Sequence, residues 1–201
     1  MTGHSFDDRA ATWDDDPAKR ERARQAAASI RNAVPLASAT RVLEYGAGTG
    51  LVSQALRPLV GPITLADTSA GMRDVLAQKI ASGALTDARV WDVDLGTSEP
   101  PGEEFDLVVA VMALHHVEDV GAVLARFKAL LARGGHLCVV DLEAEDGSFH
   151  GDDFHGHDGF DTGEFVGSIT RAGFAGVQVE RCGEMTRHGR SYPLFLAVAE
   201  A

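Results

Sequence analysis

An α/β three-layer sandwich around a mainly parallel seven-stranded sheet is the fold class this sequence predicts. Two observations carry it. Short, near-continuous apolar runs of strand length alternate with stretches whose apolar residues fall three and four apart, the pattern of repeated βαβ units with both sheet faces covered. The length of 201 residues, with 45% apolar and 24% charged residues, is that of an average soluble chain able to bury one core, so we expect residues 1–201 to form a single domain. Disordered, collagen-like and coiled-coil architectures are excluded for the chain as a whole.

The elements follow in order. Asp14, Asp15 and Asp16 offer N-cap carboxylates, Pro17 suits a first helical position, and Ala23, Ala26, Ala27 and Ile30 share one face, so a helix is expected from Pro17 to Ala33. Strands are expected at Arg41–Tyr45, Ile63–Asp67, Arg89–Asp92, Phe105–Met112, His136–Leu142, Val177–Cys182 and Leu194–Ala199. Between them lie helical patterns: Met72, Val75, Leu76 and Ile80; Val120, Val123, Leu124, Phe127, Leu130 and Leu131; Phe165, Ile169 and Ala172. Only Gly183 to Pro193 separates the last two strands, too little for a helical crossover, so the last strand is expected to be antiparallel. The biased stretch from Ser148 to Asp161 reads as an irregular loop before a helix capped by Asp161 with Glu164.

Charge and apolar patterning narrow the function. Eighteen Lys and Arg stand against 30 Asp and Glu, a net charge of −12, whose field opposes nucleic acid and anionic lipid surfaces. The longest unbroken apolar stretch, Leu107 to Leu114, is far below the roughly 20 residues of a membrane helix. A cytoplasmic protein with a small-molecule partner, and neither nucleic acid nor membrane, is the expectation. Cys138 and Cys182 read as reduced, structural cysteines.

The stretch VLEYGAGTG, from Val42 to Gly50, runs an apolar strand straight into glycines at 46, 48 and 50 and then into a helix. Glycines there let the backbone turn sharply and leave peptide groups bare toward a ligand, and in open α/β sheets the first such loop is where nucleotide-like ligands bind. A dinucleotide loop of the G-x-G-x-x-G kind needs glycine at 51, where this chain has Leu51.

On these residues the chain resembles the class I S-adenosylmethionine-dependent methyltransferases of small-molecule type, whose Rossmann-like domain carries an acid followed by G-x-G-x-G. The resemblance covers about Trp13 to Ala199 and implies S-adenosylmethionine as cofactor. Glu44, Gly46, Ala47, Gly48 and Gly50 then form its first motif. Asp67 matches the acid that accepts from the ribose hydroxyls, and Thr68, Ser69 and Met72 wall the adenine. Asp92, with Val93 beside it, matches the acceptor for the adenine amino group, with Asp94 second choice. Ala110 and Val111 lie in the region facing the methionine half. The resemblance also makes residues 1–35 a helical lid segment, with Trp13 in it.

The fourth strand ends in AVMALHHVED, without the N/D/S-P-P-Y/F motif of enzymes that methylate exocyclic amines and without a metal-binding acid. No metal is therefore expected. His115 follows the strand and Asp141 ends the fifth; carboxyl ends of neighbouring parallel strands open onto one crevice, so the two can act as a base and its orienting partner, with His116 in reserve. His150, His155 and His157 match no metal-ligand spacing and read as a substrate-facing flap, with His157 and Phe160 its contact residues. Arg187, His188 and Arg190 read as a solvated hairpin turn. A non-catalytic protein binding the same cofactor is the competing reading.

Overall fold

The computed structural model describes residues 4–100, 102–151 and 154–201. Helix α1 (His4–Ala10) leads through a 3₁₀ turn at Trp13–Asp15 into α2 (Pro17–Ala33). The α2 boundaries follow from local chemistry: the Asp16 side chain accepts from the Ala18 N–H, Pro17 occupies the first turn, and Val34 is extended ahead of Pro35. The strands are β1 (Val42–Tyr45), β2 (Ile63–Ala66), β3 (Ala88–Trp91), β4 (Phe105–Val111), β5 (Leu131–Leu142), β6 (Ala175–Arg187) and β7 (Arg190–Glu200). Helices α3 (Leu51–Leu56), α4 (Ala70–Ala81), α5 (Val120–Leu130) and α6 (Thr162–Arg171) connect them.

The sheet order is β3-β2-β1-β4-β5-β7-β6. Strands β1 to β5 pair in parallel, and β7 runs antiparallel between β5 and β6. The α/β sandwich with an antiparallel last strand is thus the observed architecture. Two apolar layers sandwich the sheet: Leu43, Val108 and Leu137 pack with Phe127 of α5 and Phe165 of α6, while Val42, Leu65 and Val109 pack with Ile30 of α2 and Leu56 of α3. Strands β1 and β2 are buried along their whole length, as expected for a sheet covered on both faces.

The β6–β7 hairpin is longer than its apolar runs suggest. Most β6 side chains are at least partly exposed on this edge strand, so the near-continuous pattern that marks the interior strands is missing. Its turn, His188 and Gly189, has φ of 51° and 75°, the positive values that two-residue hairpin turns require. Helix α1 has no clear apolar period and was not expected.

Sheet order sets the site. The chain leaves β1 for one side and β4 for the other, so the carboxyl ends of these neighbours open a crevice between them.

Candidate functional site

A cavity of about 820 Å³ occupies that crevice, lined by the turn after β1, the ends of β2 and β4, the N-terminal helices and the loop after β5. The three glycines play different parts. Gly46 (φ +67°) carries a close approach, since a Cβ there would stand 2.4 Å from Ala113 Cβ. Gly50 (φ +78°) packs under Leu76, 2.8 Å from its would-be Cβ. At Gly48 (φ +55°) a Cβ would meet nothing within 4 Å, and Gly48 lines the cavity. Its bareness therefore serves the cavity and not the packing.

Asp67, just past β2, holds this turn: Oδ2 accepts from the Gly48 N–H at 2.7 Å and Oδ1 from the Ser69 N–H at 2.8 Å. Burial raises its pKa against these hydrogen bonds. Thr68 and Met72 stand beside it on the cavity wall. Glu44, 3% exposed, accepts from Ser53 N–H at 3.0 Å and from the Ser53 hydroxyl, and its burial pushes its pKa up to about 7. It braces the start of α3 and borders the cavity.

Three of the expected contacts fall elsewhere. The Asp92 side chain is 75% exposed and pairs with Arg73 at 2.9 Å; neither it nor Val93 lines the cavity, and Val93 packs on the core. Beyond the end of β3 the chain turns, so it is Asp94 that faces inward, accepting from the Gly96 N–H at 2.7 Å and the Tyr45 hydroxyl at 3.4 Å. Ala110 is fully buried inside β4, and the wall is formed by Val111, Met112 and Ala113. Met112 has φ of +54°, a conformation that side chains rarely adopt and that marks a constrained site. No sequence signal announces it.

The structure brings His115 and Asp141 together. His115 Nδ1 lies 2.6 Å from Asp141 Oδ1, and both residues are buried. Asp141 also accepts from the N–H groups of Leu114 (3.1 Å), His115 (3.3 Å) and Leu142 (2.8 Å), donors that suit a carboxylate and direct Nδ1–H of His115 at it. Nε2 is left with its lone pair, and the ring borders the cavity. His116 stands next to it at 4.1 Å between ring centroids.

From the loop after β5, Phe149 and His150 reach the cavity; His157 and Phe160 do not. His157 is tied to Val117 O through Nε2 at 2.9 Å, and Phe160 packs against Phe165 and Phe195. Arg187 of the hairpin also lines the cavity, its guanidinium 4.8 Å from the Phe149 ring centre.

The N-terminal segment covers the other side. Asp7 accepts from the Ser69 hydroxyl (2.5 Å) and Gly71 N–H (2.9 Å), and Asp14 from the Thr49 hydroxyl (2.5 Å). Trp13 lies beneath the Lys19 ammonium, 3.6 Å from its ring centre. Arg22 of α2 also lines the cavity, and burial lowers its pKa.

Residues 18–188 match the family model described as a methyltransferase domain. Over 121 residues the chain is 36% identical to an uncharacterized methyltransferase of Schizosaccharomyces pombe, covering 57% of this chain and 43% of that protein. Over 110 residues it is 33% identical to a ubiquinone biosynthesis O-methyltransferase of Xanthomonas euvesicatoria, covering 54% and 46%. The chain thus spans about half the length of the curated relatives it matches. Among solved structures, the N-methyltransferase NodS of Bradyrhizobium japonicum, in complex with S-adenosylhomocysteine, superposes with a TM-score of 0.74 at 20% identity over 98% of this chain and 96% of that one. A Haloferax volcanii methyltransferase in complex with its Trm112 activator gives 0.76 at 17% identity, covering 98% and 97%. These likenesses establish a shared fold.

Proposed function

The chain belongs to the class I S-adenosylmethionine-dependent methyltransferases, and from that premise we propose that it methylates a small-molecule acceptor held beside His115. The supporting observation is that one cavity is bordered both by bare Gly48, clamped by Asp67, and by His115, oriented by buried Asp141. When bound, S-adenosylmethionine supplies a methyl group already activated by positive sulfur for in-line displacement.

The residues present fit that cofactor. Gly46, Ala47 and Gly48 provide open backbone, Asp67 is the acceptor for the ribose hydroxyls, and Thr68, Met72 and Asp94 wall the adenine. Arg22 is the cation for the methionine carboxylate. Glu44 borders the cavity and acts by holding Ser53 at the start of α3. Residues 4–35 of the expected 1–35 segment, tied down through Asp7 and Asp14, are the lid that excludes water, residues 1–3 lying outside the described residues; we read residues 1–201 as one domain.

His115 takes the acceptor's proton on Nε2 while Nδ1–H stays with Asp141, which stabilises the imidazolium that forms. The buried histidine suits an acceptor hydroxyl, thiol or amine small enough to share about 820 Å³ with the cofactor. The net charge of −12 supports an acceptor other than a nucleic acid. Among the described residues no helix is long and apolar enough to cross a membrane.

The test is a screen for transfer of labelled methyl from S-adenosylmethionine to small hydroxyls, thiols and amines, with His115→Asn as control. Transfer that this substitution abolishes supports the reading. Tight cofactor binding with no transfer to any acceptor would replace it with the non-catalytic alternative.

A further inference from the structure

The dyad uses one imidazole of a group of three. One potential ligand atom from each of His115, His116 and His150 lies within 4.8 Å of the other two, although His150 arrives from the loop after β5. The ring centroids are 4.1 Å (His115–His116), 5.1 Å (His115–His150) and 5.3 Å (His116–His150) apart. His150 Nδ1 is buried with no hydrogen-bond partner, an arrangement that ordinarily destabilises a fold. Phe154 stacks on the His150 ring at 3.8 Å, and Phe6 and Phe154 both meet His116 edge-on at 5.3 Å.

We propose that His115, His116 and His150 are the three nitrogen ligands of a divalent transition-metal site of the Zn²⁺ type, with Asp141 as the carboxylate orienting His115 and a fourth position open to the cavity. Three protein ligands and one free position are the arrangement of reactive zinc sites, and a carboxylate on the far nitrogen of a ligating histidine is its usual support. Because Asp141 engages Nδ1, Nε2 is the His115 nitrogen that faces the ion. Tetrahedral bonds of about 2.1 Å separate ligand nitrogens by about 3.4 Å, so a set within 4.8 Å closes on an ion by small ring movements. The all-imidazole set, with no carboxylate among the described ligands, selects zinc, nickel, copper or cobalt over magnesium or calcium.

An ion on His115 occupies the lone pair that proton transfer needs, so metal loading and the base role exclude each other. That consequence alone rests on the proposed function.

The experiment is a Co²⁺ titration of the chelator-treated full chain, followed by visible d–d absorption, with Zn²⁺ as competitor. Expected are one Co²⁺ per chain with tetrahedral bands, displacement by Zn²⁺, and affinity about 10- to 100-fold weaker in Asp141→Asn. His150→Ala, its folding checked by thermal unfolding, should lose the bands. Absence of bands in the unaltered chain, or Zn²⁺ affinity unchanged in folded His150→Ala, would overturn the site. S-adenosylhomocysteine calorimetry runs alongside: cobalt binding without cofactor binding would keep the metal site and defeat only the methyltransfer reading.

Discussion

His115 Nδ1 stands 2.6 Å from Asp141 Oδ1, and Asp141 is fully enclosed while receiving three backbone N–H groups. The carboxylate therefore fixes both the ring and its tautomer. His115→Asn should lower kcat for the acceptor by about 10²–10⁴-fold while S-adenosylhomocysteine affinity is retained. Initial rates and calorimetry on the same preparation check this; a kcat within a few-fold of the unaltered enzyme would remove His115 as the base.

Gly48 and Gly46 separate binding from folding. Gly48→Val meets open space, so its cost is the left-handed backbone, about 1–2 kcal/mol, yet its side chain enters the cavity and should abolish cofactor binding. Gly46→Val drives carbon into Ala113, where a Cβ already stands at 2.4 Å, and should reduce stability by several kcal/mol. Thermal unfolding and calorimetry of both variants give the comparison.

Asp94 and Asp92 offer a second contrast. Asp94→Ala should weaken S-adenosylhomocysteine about 10- to 100-fold, the loss of one charge-assisted hydrogen bond, whereas Asp92→Ala removes an exposed ion pair with Arg73 and should leave affinity unchanged. The reverse order in calorimetry would restore Asp92 as the adenine contact.

Glu44 makes stability depend on pH. Its pKa is raised from 4.5 to about 7, so between these values the folded chain binds more protons than the unfolded one. Its contribution is fully present below pH 4.5 and is lost as pH rises through about 7, by about 3 kcal/mol in all. The unfolding free energy of the native chain relative to Glu44→Gln, measured across that window, should fall by this amount; a flat difference would show that Glu44 is ionised throughout.

Most of the fold and the main outline of the candidate site were legible in the sequence. Strands β1, β2 and β4 declare themselves because burial on both faces demands continuous apolar runs, and α2 because Asp16, Pro17 and its alanine face act locally. Asp67 was legible through the family resemblance, and the His115–Asp141 pair through carboxyl ends of neighbouring strands opening onto one crevice. Which of Asp92 and Asp94 faces inward is set by the turn after β3, where Asp94 accepts from the Gly96 N–H and from the Tyr45 hydroxyl of β1, a contact remote in sequence that no local pattern announces. His150 was hidden for the same reason: an irregular loop has no period, so nothing in it distinguishes His150 from His157 until the chain is folded. Met112 was illegible because its backbone is constrained by Val140, to whose carbonyl its N–H donates at 2.8 Å across the sheet.

The most direct test of the account is calorimetric titration of the unaltered chain with S-adenosylhomocysteine, beside Gly48→Val. One molecule bound per chain, with no heat from folded Gly48→Val, is the predicted result. No binding by the unaltered chain, or equal binding by both, would contradict the claim that the bare turn after β1, clamped by Asp67, cradles the cofactor.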